Sequence, residues 1–175
     1  QFESAAKREL PKLMTGAGEL PLEAMVEQAI AAEDEDDFDA AIRWYRCALS
    51  AHGPNADLCF QLAELLYRDG DTNAARERYF MALEIDPDLV EARANLGCVL
   101  LECDQLDLAI AAFEGALDQY PDYADVHFHL AHALDEHGES GRAAVHWQQF
   151  LSLAPASPWA DEALSRLQEH VPLEF

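Results

Sequence analysis

Pro87, Pro121 and Pro155 stand 34 residues apart, and the residues upstream of each repeat in step with them. Twelve residues before each proline is an alanine: Ala75, Ala109 and Ala143. Eight residues before is a large aromatic: Tyr79, Phe113 and Trp147. Twenty-four residues before is a small residue, Ala63, Gly97 or Ala131, preceded by Leu62, Leu96 or Leu130. A fixed period of this length describes a stack of two-helix units that bury their faces against one another, not one closed core. Proteins built this way usually act by presenting a surface.

Each period reads as two helices joined by a short turn. In the second, helix A spans Ala56 to Arg68, the turn is Asp69-Gly70-Asp71, and helix B runs from Thr72 to Ile85. Pro87 ends helix B because its ring cannot continue the hydrogen-bond ladder and biases Asp86 away from helical angles. Small side chains at Ala63 and Ala75 let two backbones approach closely. Tyr79, four residues beyond Ala75, lies on the same helix face and fills the groove beside it.

These residues resemble the tetratricopeptide repeat (TPR), a 34-residue helix-turn-helix unit, over about Leu22 to Ser157. The first period departs most. Ala41, Tyr45 and Ala48 are in register, but Gln28-Ala29 replaces Leu-Ala and Pro54 falls one residue late. The bulky aromatic usual early in helix A is replaced throughout, by Met25, Cys59, Arg93 and His127. The resemblance implies an all-α fold: a TPR α-solenoid, a right-handed superhelix of four helix-turn-helix repeats at 22–55, 56–89, 90–123 and 124–157. An N-terminal linker or short helix is expected over 1–21, with Pro11 interrupting Lys7 to Met14 and a linker at Thr15-Gly16-Ala17-Gly18. A C-terminal capping helix is expected over 158–171, with Ser157 as N-cap and Pro158 at the first helical position. Ala160, Ala163, Leu164 and Leu167 would form its apolar face.

The stretch from His146-Trp147 through Leu151-Ser152-Leu153 and Pro155 to Trp159-Ala160 resembles a narrower group. These are bacterial proteins with a MerR-like helix-turn-helix and a C-terminal TPR array. That resemblance implies the partner-binding or oligomerising half of a transcription regulator. The start Gln1-Phe2-Glu3 is neither a signal peptide nor an initiator methionine, so a fragment of a longer protein, or a processed one, is expected.

With 11 basic and 34 acidic residues among 175, the net charge is −23. A surface this acidic repels phosphate backbones, so no nucleic acid is expected to bind this segment. Basic partners would be attracted, although the acid also serves solubility. No apolar run is long enough to cross a membrane. Cys47, Cys59, Cys98 and Cys103 form no Cys-x-x-Cys pair and read as reduced core filler in a cytoplasmic setting. The acidic run Glu33 to Asp37 lacks the alternating ligands and glycine of a calcium loop and reads as a solvated turn. His129 and His132, three apart on a helix, could share a face, yet no third ligand converges on them, so no metal and no other cofactor is expected. His146 is expected to pack beside Trp147, and His132 to contact a ligand in the groove. No nucleophile motif, phosphate loop or His-Glu-x-x-His is present, so the chain is read as non-enzymatic.

Family members line a concave groove with helix A. Residue by residue, that groove would hold Val26, Ile30 and Glu33 of the first repeat, and Asp57, Phe60, Glu64, Tyr67 and Arg68 of the second. The third would add Glu91, Ala94, Cys98, Leu101 and Glu102, and the fourth Asp125, Phe128, His132, Asp135 and Glu136. An apolar, aromatic floor with acidic edges suits a protein or peptide partner that carries hydrophobic anchors and flanking Lys or Arg. Alternatively Phe60, Tyr67 and Phe128 pack against neighbouring helices or the N-terminal segment. Co-chaperone members grip C-terminal carboxylates with Lys, Arg and Asn. The matching positions here hold Val26, Ile30, Gln61, Glu91 and Asn95, which argues against that clamp. Two function classes stand: a partner-binding module, and a self-association module that forms a homodimer across a two-fold axis. A redox or metal sensor using Cys98, Cys103 and the histidines is a distant third.

Overall fold

The computed structural model describes residues 20–170. The linker or short helix expected over 1–21 falls almost wholly outside the described residues, as does the end of the capping helix at 171. Among the described residues the chain is all α, with nine helices. They form two compact units, one ending at Ile85 and the other beginning at Asp86.

The first unit holds α1 (Leu22–Asp34), α2 (Phe38–His52), α3 (Ala56–Arg68) and α4 (Thr72–Ile85). The second holds α5 (Val90–Glu102), α6 (Leu106–Gln119), α7 (Ala124–His137), α8 (Ser140–Leu153) and α9 (Ala160–His170). Helices α3 and α4 occupy the spans their sequence predicts. Each A helix packs on the B helix that follows it, and α2 packs on α3, α7 on α6, and α9 on α8.

The core of each pair is the small-then-large pattern of helix B. Ala41, Tyr45 and Ala48 are buried in α2, Ala75, Tyr79 and Ala82 in α4, and Ala109, Phe113 and Ala116 in α6. In α8 the series is Ala143, Trp147 and Phe150. The close approach is tightest at Gly97, where an added Cβ would stand 2.4 Å from a carbon of the Phe113 ring. Glycine there is a steric requirement of the ring that sits on it.

One turn recurs in every repeat. Asp36, Gly70, Asp104 and Gly138, again 34 apart, all take left-handed backbone angles, with φ of 58°, 86°, 55° and 84°. The residue after each donates its N–H back across the helix end, Asp37 to the Ala32 carbonyl at 2.8 Å and Glu139 to the Leu134 carbonyl at 2.8 Å. This doubly bonded left-handed cap satisfies carbonyls that the helix end leaves open. Aspartate is among the few residues besides glycine that tolerate the conformation. The acidic run Glu33 to Asp37 is therefore working turn structure, not a merely solvated stretch: Asp36 is the left-handed residue, and the Asp37 side chain caps α2 by accepting from the Ala40 N–H at 3.0 Å. Asn55 and Asp71 cap α3 and α4 in the same way.

The positions that lack the usual helix A aromatic carry a different device in the second unit. Arg93 Nη2 donates to the Pro87 carbonyl at 2.8 Å, and His127 Nε2 to the Pro121 carbonyl at 2.8 Å. Each repeat thus ties its helix A to the proline six residues earlier. Gln119 Nε2 also donates to the Pro87 carbonyl, at 3.0 Å.

The capping segment differs from expectation at its start. Residues 154–159 form a turn in which Ser157 Oγ accepts from the Trp159 N–H at 3.3 Å, and α9 begins only at Ala160. Ala160 and Ala163 are buried, whereas Leu164, expected on the apolar face, is 46% exposed.

Candidate functional site

In the first unit the A helices α1 and α3 open a groove of about 660 Å³. Its floor is apolar: Leu22, Val26, Ile30 and Leu58 line it. Five carboxylates, those of Glu23, Glu27, Glu33, Asp34 and Asp57, also line it, and no lysine or arginine does. The periodicity of α1 explains the arrangement. Residues 23, 27, 30 and 34 lie three or four apart, so acids and Ile30 share one stripe of the helix. Ile30 is 48% exposed, an unusual position for a β-branched aliphatic unless something covers it.

The groove gathers Val26, Ile30, Glu33, Asp57 and Gln61 from the residues expected there. Glu33 has a second role. Its Oε1 accepts from the Tyr45 hydroxyl at 2.9 Å, and burial together with that carboxylate raises the Tyr45 pKa well above the ordinary tyrosine value. Leu22, Glu23, Glu27, Asp34 and Leu58 were missed by family register alone. The i, i+4 spacing of Glu23 and Glu27 around Val26 was the available signal.

The other second-repeat residues expected in the groove are not part of this lining. The Arg68 guanidinium lies over the Phe38 ring, 4.4 Å from its centroid, a cation–π contact at the start of α2. The Tyr79 hydroxyl donates to the Glu64 carboxylate, so Glu64 braces the helix B ring. Phe60 is half-buried with its ring 6.1 Å from that of Tyr79, and Tyr67 is half-buried.

In the second unit the helix A residues divide differently. Ala94, Asn95, Cys98 and Asp125 line a small pocket of about 100 Å³ with His129. Burial lowers the pKa of His129, with Asp125 opposing the shift. Glu91, Glu102 and Glu136 are exposed and Leu101 is half-buried.

Three expectations for the fourth repeat are corrected. Phe128 is not an open floor: it is 6% exposed, under the indole of Trp159 (centroids 5.0 Å apart, planes at 27°) and against Trp147 and Phe150. Asp135 accepts from the Trp147 indole N–H at 3.0 Å, as a brace for the helix B ring. His132 pairs with Glu162 of α9 at 3.1 Å, its ring wedged between Phe128 and Trp147. His146, expected beside Trp147, instead meets His127, Nδ1 to Nδ1 at 2.9 Å. The His127 Nε2–H is used on the Pro121 carbonyl, so His127 Nδ1 accepts and His146 Nδ1–H donates. Burial, with His127 and Arg142 nearby, lowers the His146 pKa to about 4. Among the described residues no group of three or more His, Cys, Asp or Glu side chains is placed to hold a metal ion. No described helix is long and apolar enough to cross a membrane.

Comparison with known proteins agrees with this geometry. Two family models, both described as tetratricopeptide repeat, match residues 32–97 and 91–158. Protein FlbA of Caulobacter vibrioides is 31% identical over 144 residues, covering 79% of this chain and 24% of FlbA. A probable UDP-N-acetylglucosamine–peptide N-acetylglucosaminyltransferase SEC of Arabidopsis thaliana is 29% identical over 92 residues, covering 53% of this chain and 9% of that protein. The chain therefore spans under a quarter of the length of either relative. Among solved structures, a MamA protein superposes with a TM-score of 0.76 at 24% identity, covering 85% of each chain. YrrB, described as a TPR protein with an unusual peptide-binding site, superposes with a TM-score of 0.77 at 19% identity, covering 92% of this chain and 86% of YrrB.

Proposed function

This chain belongs to the tetratricopeptide repeat family, and on that premise we propose that it is a non-catalytic module whose first unit binds a basic peptide segment with apolar anchors. Repeats of this family act as protein-interaction surfaces. The observation that carries the finer reading is the α1/α3 groove: about 660 Å³, floored by Val26, Ile30 and Leu58, edged by five carboxylates and lined by no cation. An aliphatic or aromatic side chain seated on Ile30 would bury that exposed surface. Lysine or arginine beside it would meet Glu23, Glu27 or Asp57. YrrB, with the same fold, is described as carrying a peptide-binding site, which is the analogy nearest to this reading.

Selection of peptides from a random display library against the whole chain tests the proposal. Enriched sequences should combine Leu, Ile or Phe with Lys or Arg, and Ile30→Asp should weaken their binding at least about tenfold while far-UV circular dichroism stays unchanged. Enrichment of acidic sequences, or full binding by the Ile30→Asp chain, would sink it.

A self-association reading draws on Phe80 and Ile85 of α4, which are 43% and 45% exposed. Sedimentation equilibrium separates the two, because a mass that rises with protein concentration and falls back in Phe80→Asp would favour the homodimer.

A further inference from the structure

The turn that follows α8 places one aromatic ring where the sequence pattern leads a ligand to be expected. Trp159 leaves the chain between Pro158 and the first residue of α9, and its indole stacks on Phe128 of α7. His129 meets the same indole edge-on, with centroids 6.2 Å apart, and His132 flanks Phe128 at 4.8 Å. Phe128, His129 and His132 therefore form a slot for one flat ring on a helix A surface.

The ring is in place but weakly held. Trp159 remains 41% exposed although stacked. The α9 helix behind it buries only Ala160 and Ala163 fully, and leaves Leu164 in solvent. Its one charged link to the slot is His132 Nε2 to Glu162 Oε1, at 3.1 Å, between partly exposed side chains. A helix whose buried anchors are two alanines loses little apolar contact on detaching.

We propose that this slot is a recognition site for an aromatic side chain of a partner protein, and that residues 154–170 are a releasable strap which fills it with Trp159 until the partner competes. The partner ring would carry a neighbouring lysine or arginine, because Asp125 and Glu136 stay exposed on α7. His132, freed from Glu162, would then face the incoming chain. The slot lies on the second unit and does not depend on the groove of the first.

The test uses the full chain with its tryptophans replaced by 5-fluorotryptophan and followed by fluorine NMR. The sequence has three tryptophans, and Trp159→Phe identifies the signal of interest. The probe is the peptide acetyl-Lys-Phe-Lys-amide, with acetyl-Lys-Ala-Lys-amide as control. The expected result is that the phenylalanine probe moves the Trp159 signal toward the solvent-exposed shift, that the control does not, and that the Trp147 signal stays put. Glu162→Gln should lower the midpoint of that titration about threefold, the scale of one partly exposed ion pair. A Trp159 signal unmoved at saturating probe, or moved equally by the control, overturns the proposal. A midpoint that Glu162→Gln leaves unchanged or raises counts against the strap.

Discussion

The carboxylate of Asp135 accepts the indole N–H of Trp147 at 3.0 Å, and each repeat answers the same need according to its own ring. Glu33 holds the equivalent position in the first repeat and accepts from Tyr45. In the second, Tyr67 stands there, and the Tyr79 hydroxyl turns to Glu64 instead. In the third, the ring is Phe113, which has no donor, and the facing register position is Leu101. Polar rings come with an acid and the apolar ring with an aliphatic, as the cost of burying an unpaired donor requires. Asp135→Ala should therefore cost about 1–3 kcal/mol in urea unfolding, because it strands the buried indole N–H. Asp135→Asn, which keeps an acceptor oxygen, should cost clearly less. Equal losses would mean that the bond contributes little.

Gly97 presents the opposite case, in which adding an atom does harm. An alanine Cβ would stand 2.4 Å from the fully buried Phe113 ring. Overpacking of this kind costs about 1–3 kcal/mol, against roughly 1 kcal/mol gained from replacing glycine within a helix. Gly97→Ala should lower the melting temperature, and Gly97→Ala with Phe113→Leu should be less damaging than the sum of the two changes. Strict additivity would show that the ring moves aside freely.

The two proline carbonyls should respond unequally. Arg93→Ala leaves Gln119 still donating to the Pro87 carbonyl and should cost under about 1 kcal/mol. His127→Ala removes the Nε2 donor to Pro121 and the acceptor for His146 from a site where His127 is buried. A loss of about 1–3 kcal/mol is expected there. Chemical unfolding of both variants under one condition decides the order.

Acid should loosen the second unit. The His146 pKa falls to about 4 in the folded chain, below the ordinary value of 6.5, so the unfolded chain binds the extra proton first. The associated stability is fully present above pH 6.5 and is lost as pH falls toward 4. Burial likewise lowers the His129 pKa, so it acts in the same direction. The imidazole is only partly buried, and after allowance for solvent screening His146 should account for about 1 kcal/mol. Urea midpoints measured across that range should show a flatter pH dependence in His146→Gln.

Salt should separate the two parts of the groove's recognition. Raising ionic strength from about 0.01 to 0.15 M shortens the screening length from about 30 to 8 Å, so basic peptides selected on the whole chain should bind severalfold more weakly. The residual affinity should come from the Val26 and Ile30 floor. Fluorescence anisotropy at both salt concentrations measures the split, and a flat response would remove the carboxylates from the account.

Much of this architecture can be read along the chain because its signals are local. The prolines, the small residue and the ring on helix B fall every 34 residues, and they suffice for α3 and α4. The left-handed turns at Asp36 and Asp104 are harder to see, since aspartate hides a conformation that Gly70 and Gly138 advertise. The fate of Phe128 lies beyond any local rule. Its register matches Phe60, which stays half-buried, yet Trp159, far along the sequence, covers it. The acid–ring pairings were legible in principle, since hydrogen-bonding capacity changes together at the two positions.

The bond from each helix A to the preceding proline also has a consequence for how such a chain can grow. A block cut from Asp88 to Pro121 carries at its head the Arg93 donor that reaches back to a proline carbonyl. At its tail it carries the Pro121 carbonyl that the following helix, through His127, reaches for. A duplicated copy would offer the plug its upstream neighbour needs and the socket its downstream neighbour needs. Duplication in 34-residue steps therefore preserves every joint, whereas a cut one turn away would sever donor from acceptor at both ends.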